Sequence, residues 1–131
     1  MDSKEKKAFS MISRIESFRN AFRGIGIFLK NTHNAWVELV FGGVAIFLGF
    51  YFGISSSQWL FIVVSFGMLL MAEAFNTAME VHMDLTSPDF HPYAKDTKDI
   101  AAGGVLIASI VFLLVTISIF LPLLRFNIYS L

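Results

Sequence analysis

Apolar residues fall along this chain in three long blocks, near 35–53, 58–79 and 100–122, with few charges inside them. A hydrocarbon core about 30 Å thick takes roughly 20 helical residues to cross, so each block is long enough to be a membrane-spanning helix. The first connection, "GISSSQ", is short and uncharged, which forces the first two spans into an antiparallel hairpin. The second, "LTSPDFHPYAKDTKD", is longer and charged. Ahead of the first block, in "FSMISRIESFRNAFRGIGIFLK", Ile15, Phe18, Phe22 and Ile25 recur at three- and four-residue spacing, while Arg14, Arg19, Asn20 and Arg23 fill much of the rest. That pattern predicts a helix over 5–30 lying on a membrane surface, its basic residues near anionic headgroups. The segment is too charged to cross, and no compact apolar core with a small-residue cleavage site follows its basic residues, so it does not read as a cleavable signal. The expected fold class is an all-α membrane protein, one domain over 1–131, with an N-terminal amphipathic surface helix and three transmembrane helices.

Composition agrees with the pattern: 56% of the 131 residues are hydrophobic, above the roughly 45–50% of soluble domains. The absence of cysteine excludes a disulfide framework, a thiolate zinc site and a thiol nucleophile. The formal net charge is zero, but the charges are unevenly placed. Lys4, Lys6, Lys7, Arg14, Arg19, Arg23 and Lys30 precede the first span, Lys95 and Lys98 share the second connection, and Arg125 lies apart. The positive-inside rule then puts the N-terminal segment and the second connection in the cytoplasm, with the short turn and the C-terminus outside. Trp36, Tyr51, Trp59 and Tyr129 fall near the predicted boundaries, where amphipathic rings prefer to sit. Gly49 and Gly53, and Gly104 and Ala108, lie four apart, a spacing that lets helices approach closely in lipid. Three helices make a thin bundle in which to bury polar groups, so self-association is expected, and no nucleic-acid partner is.

One stretch breaks the apolar rule. "EAFNTAMEVHMD", residues 73–84, continues the second span directly, and Glu73, Asn76, Thr77, Glu80 and Asp84 share one side of a helix that runs over 58–84. Glu73 and Glu80 are roughly 10 Å apart along the axis. Counting about 20 residues from Trp59 places the boundary near residue 79, with Glu73 about 9 Å inside it. A carboxylate at that depth is costly and must face the bundle interior or a wet cavity. Glu73 and Asn76 can serve simply as hydrogen-bond partners that hold helices together. Two neighbouring acids also repel unless a cation or a donor lies between them, which points to Mg²⁺, a hard ion that takes carboxylate and phosphate oxygens. The connection "YAKDTKD" supplies Lys95, an ammonium suited to a phosphate, while Asp96 or Asp99 can cap the helix that follows. A lipid alcohol presents its hydroxyl at the boundary and a nucleotide arrives from the cytoplasm. Phosphoryl transfer needs mainly positioning and charge neutralisation, so the parts suffice. There is no G-x-x-x-x-G-K-[ST] and no H-R-D, and "GIG" at 24–26 is too short to be a glycine-rich loop. His33, His82 and His91 show no metal-ligand spacing.

"EAFNTAMEVHMD" followed by "SPDFHPYAKDTKDIAAGGVLI", with "SFRNAFRGI" upstream, resembles the signature of the small bacterial integral-membrane lipid kinases, the diacylglycerol kinase and undecaprenol kinase family. The pattern E-x-x-N-[ST]-A-x-E-x-x-x-D followed by A-K-D is long and specific. The resemblance implies a homotrimer in the bacterial inner membrane, with sites shared between subunits, that uses Mg-ATP to phosphorylate a lipid hydroxyl. It implies Glu73 as general base beside the lipid hydroxyl, a role that suits a partly desolvated carboxylate. Asn76 would support the phosphate or metal, Glu80 would hold Mg²⁺, Lys95 and Asp96 would contact the nucleotide, and Asp84 and Arg23 would add to that contact. Arg14 and Ala102 would meet the lipid.

Thr32 is a departure, because the family usually carries there a glutamate that shares the metal. Glu38, almost two turns later, is the candidate substitute. The Pro-x-x-His-Pro loop favours undecaprenol as substrate, with diacylglycerol as the alternative. A small ion or proton pathway subunit is the reading from another class, since acids inside membranes mark such paths. Spans one and three, however, have almost no polar residues in their outer halves. Thr32→Glu is expected to strengthen Mg²⁺ dependence or turnover; identical magnesium titrations for variant and wild type would show that the ligand position is misplaced.

Overall fold

The computed structural model describes residues 11–129, all of whose regular elements are helices: α1 (Met11–Asn31), α2 (His33–Phe52), α3 (Ser56–Thr86) and α4 (Pro92–Tyr129). Residues 5–10 of the expected surface helix and the side chain of Tyr129 lie outside what is described. Three helices, from Asn34, Ser56 and Pro92 onward, are long and apolar enough to cross a bilayer, which fits an all-α membrane protein. The chain divides into two compact units, the first ending at His33 and the second beginning at Asn34.

In the first unit, α1 carries Lys30 in its last turn, where a cation complements the helix dipole. Its Ile15, Phe18, Phe22 and Ile25 are exposed. Thr32 is buried, and its amide donates to the Phe28 carbonyl at 3.0 Å, extending the helical bonding past Asn31.

The second unit is a three-helix arrangement whose buried core joins Ala45, Ile54, Ile62, Leu69, Phe112, Ile119 and Phe120. The turn from α2 to α3 is fixed by two local devices. Gly53 takes φ +61°, and the Ile54 amide reaches back to the Gly49 carbonyl at 3.2 Å, the bond that closes a left-handed helix end. Ser55 then caps α3 in a reciprocal box with Gln58. Gly53 therefore serves the turn, and a Cβ there would touch nothing. Gly49 does lie at a close approach: a Cβ there would sit 2.6 Å from Trp59 Cη2. Gly42 is a further contact point, with the Phe66 ring directly over its Cα. Phe66 in turn packs on Phe112 of α4 with centroids 5.3 Å apart, so one glycine lets an aromatic pair join all three helices.

Both longer helices overrun their apolar blocks. α3 continues to Thr86, where the Ser87 amide bonds the Met83 carbonyl and Pro88 follows. α4 begins at Pro92 rather than near 100, so the charged connection shrinks to residues 87–91. Proline is pre-organised for the first helical position, and Ala94, Lys95 and Lys98 are good helix formers. Asp96 and Asp99 consequently lie within α4, past its first turn, and neither is its N-cap. α4 also runs on through Pro122 to Tyr129, beyond the expected end at 122.

A matched pair of substitutions tests the Gly42 contact. Gly42→Ala must displace the Phe66 ring and should cost about 1–2 kcal/mol of stability. Gly43→Ala meets open space and should be neutral or gain up to about 1 kcal/mol from helix propensity. Thermal unfolding in detergent micelles compares them; equal midpoints would show that Phe66 yields freely.

Candidate functional site

The buried stripe of α3 runs Ile62, Ser65, Leu69, Glu73, Asn76, a spacing of three or four throughout. The same side of the helix that builds the core thus turns polar in one step between Leu69 and Glu73. Ser65 fits inside because its hydroxyl donates to the Phe61 carbonyl at 2.7 Å, satisfying it within its own helix. Glu73 has no such escape: it is 1% exposed, among the largest fully buried side chains.

Around Glu73 the structure gathers a small oxygen-rich cluster. Asn34, in the first turn of α2, hydrogen-bonds the Glu73 side chain, and Glu38 and Glu80 act on the neighbouring acid as like charges. Asn76, 7% exposed, donates from Nδ2 to Glu80 Oε1 at 3.3 Å. Thr77 Oγ1 donates to the Glu73 carbonyl at 2.9 Å. Glu80 itself is exposed. Three buried oxygens, Glu38 Oε2, Glu73 Oε2 and Asn76 Oδ1, have no hydrogen-bond partner within the protein. Buried acceptors without donors are costly, and two of these belong to carboxylates.

The donor set is entirely oxygen, which suits a hard cation. Among the described residues no three His, Asp or Glu side chains come close enough to hold a metal by themselves. Mg²⁺ commonly takes one or two carboxylates and completes its shell with phosphate oxygens and water, so the residues fit a cation that arrives with a phosphate.

The remaining candidates lie elsewhere. Asp84 pairs with Lys98, tying α3 to α4 across residues 87–91. Lys95 pairs with Asp99 one turn on in α4. These are exposed surface pairs, which solvent screens, so they hold the helices only weakly. Asp84, Lys95 and Lys98 line one cavity of about 370 Å³. Asp96 is exposed near Lys95, and Ala102 is exposed further along α4. Arg14, Arg23 and Thr32 belong to the first unit. Asn34 and Lys98 are not among the residues that the sequence marks as site candidates. Asn34 had a signal, since it precedes Glu38 by four residues and shares its side of α2.

Three helices long and apolar enough to cross a bilayer, with a polar cluster buried at one end, define the class as an all-α membrane protein. The family described as prokaryotic diacylglycerol kinase matches residues 19–120. The chain belongs to that family and is a lipid kinase. It is 32% identical over 123 residues to the undecaprenol kinase of Bacillus subtilis (strain 168), covering 93% of this chain and 98% of that one. It is 24% identical over 114 residues to the diacylglycerol kinase of Helicobacter pylori (strain ATCC 700392 / 26695), covering 82% and 89%. With the diacylglycerol kinase of Synechocystis sp. (strain ATCC 27184 / PCC 6803 / Kazusa) the identity is 29% over 107 residues, covering 81% and 61%.

Glu73→Gln keeps an acceptor for Asn34 while removing the like-charge repulsion from Glu38 and Glu80. It should raise stability by about 1–2 kcal/mol. A thermal midpoint unchanged or lowered in the variant would mean that the Glu73 carboxylate is already compensated.

Proposed function

We propose that this chain transfers the γ-phosphoryl group of ATP, as its Mg²⁺ complex, to the hydroxyl of undecaprenol, giving undecaprenyl phosphate. The observation that carries the reading is the buried, partnerless Oε2 of Glu73 beside the equally partnerless Glu38 Oε2. A hydroxyl is a donor, and these are acceptors lacking one. Glu73 takes the hydroxyl proton as the lipid oxygen forms its bond to phosphorus and the bond from phosphorus to the bridging oxygen of ADP breaks. A buried acid held by Asn34 is positioned for that transfer.

Mg²⁺, when bound, supplies charge neutralisation on the phosphates. Glu80 would hold it, with Asn76 steadying the Glu80 carboxylate. Lys95 and Asp96 would meet the nucleotide on the first turns of α4, with Asp84 and Arg23 nearby in role, while Arg14 and Ala102 would meet the lipid. The working form is a homotrimer in the bacterial inner membrane, N-terminus and the 87–91 turn cytoplasmic, C-terminus outside, with α1 lying on the membrane surface. Undecaprenol is favoured over diacylglycerol by the relative that aligns over nearly both full lengths. A proton-pathway role is disfavoured because the buried stripe beyond Glu73 is Leu69, Ser65 and Ile62, and the Ser65 hydroxyl is committed to its own helix.

Phosphate transfer from labelled Mg-ATP by the purified protein in micelles, with undecaprenol and diacylglycerol side by side, tests both levels of the proposal. Preferential labelling of undecaprenol is expected, and labelling of diacylglycerol alone would move the chain to the other branch. Glu73→Gln should lower transfer by a factor of about 10²–10⁴ while leaving the oligomer intact; unchanged turnover would remove Glu73 from the role of base.

A further inference from the structure

The second unit buries three oxygens that no donor reaches, Glu38 Oε2, Glu73 Oε2 and Asn76 Oδ1. Glu73 and Asn76 follow one another on the buried stripe of α3, each more than nine-tenths buried. Glu38 acts on Glu73 from α2 as a like charge. The Asn76 amide is not free to turn and offer a donor, because its Nδ2 is given to Glu80 Oε1 at 3.3 Å; turned over, it would set one acceptor against another. Asn34 brings a donor to the Glu73 side chain and still leaves its Oε2 bare. A substrate hydroxyl brings a single proton, which satisfies one of the three oxygens and leaves the two acids repelling each other. A divalent cation does more: it is a positive partner to all three oxygens at once and cancels both charges, so that two carboxylates can stay ionised in an apolar bundle.

We propose that Glu38, Glu73 and Asn76 Oδ1 form a site for a bare divalent cation, taken up without nucleotide, which the lipid alcohol must displace to reach Glu73. Two carboxylates and an amide oxygen, completed by water, are a hard-oxygen set for Mg²⁺ or Mn²⁺, and because the third ligand is an amide the site needs no third acid. Entry requires no path through the core, since Asn34 is exposed and lines an open groove together with Glu38. The site is separate from the metal that arrives with ATP, for which Glu80 is the ligand. Displacement by the alcohol rests on the reading of Glu73 as the base of a lipid kinase; uptake of the cation does not. Glu73 cannot ligate a cation and accept the hydroxyl proton at once, so free metal in excess over ATP acts against the alcohol and not against the nucleotide.

Free Mn²⁺, measured by electron paramagnetic resonance over the full chain in micelles with no nucleotide present, reads the site without turnover. Uptake by the wild type is expected, competed by Mg²⁺ and reversed by undecaprenol. Glu38→Gln should weaken it by about tenfold or more, while Glu80→Gln should change it by less than about twofold. No uptake without nucleotide, an equal loss in Glu80→Gln, or full binding in Glu38→Gln would each overturn the proposal. Mn²⁺ should also raise the thermal midpoint of the wild type without nucleotide, a reading that needs no variant to fold; an unmoved midpoint would count against the site. In turnover, Mg²⁺ beyond that bound to ATP should raise the KM for undecaprenol and leave the KM for ATP unchanged; a rise confined to the KM for ATP would place the cation with the nucleotide and overturn the proposal. Mn²⁺ uptake as expected without phosphate transfer to any alcohol would uphold the site and count against the kinase chemistry. Transfer without nucleotide-free uptake would do the reverse, which keeps the two failures apart.

Discussion

A carboxylate inside an apolar bundle must find a donor, a cation or a proton, and the second unit is arranged around that constraint at Glu73. Ordinary core logic would place another leucine one turn beyond Leu69. Glu73 stands there instead, sealed from solvent, with Asn34 as a donor and Glu38 and Glu80 as like-charged neighbours. Packing that buries an acid while leaving one of its oxygens unpartnered is unfavourable for the isolated fold. It becomes useful when a substrate hydroxyl or a metal-bound phosphate brings the missing positive partner. Under the proposed function, the stability held back in the cluster is available as binding energy for what the protein phosphorylates.

Helix length carries this local cluster out of the apolar part of the unit. α3 does not stop where its apolar stripe ends but continues to Thr86, so Asn76, Glu80 and Asp84 climb progressively from buried to exposed along one side. α4 starts at Pro92 and returns alongside it, bringing Lys95 and Lys98 to the same end as Asp84. The short 87–91 turn and the Asp84–Lys98 pair fasten the two extensions together. Acidic groups that reach into lipid and basic groups that stand clear of it therefore share one end of a rigid helix pair.

Three apolar helices are legible in the sequence because hydropathy depends only on neighbours in the chain. The polar side of α3 is legible for the same reason, since helical spacing fixes which residues share a side. What escaped was set by tertiary packing or by chemistry that hydropathy does not register. The extension of α4 ahead of its apolar block is not legible, because "AKDTKD" reads as loop by charge although Pro92 is a good first helical residue. Gly49 and Gly53 present the same spacing as a helix-contact pair, yet Gly53 is required by a positive φ and only Gly49 by a close neighbour. Gly42 and Asn34 matter through Phe66 and Glu73, partners more than twenty residues away that no local pattern announces.

Glu38 shows what packing adds to such a reading. By sequence it is a candidate substitute for an acid missing at Thr32, which would make it a metal ligand beside Glu80. In the structure its electrostatic neighbour is Glu73, and it lines a largely apolar groove together with Asn34. That position is the junction between an apolar groove and the part of the unit that lacks donors. Glu38 on α2 and Glu73 on α3 thus act on each other as like charges, and each keeps one buried oxygen without a donor, so the polar burden of the thin three-helix frame is concentrated at this one level.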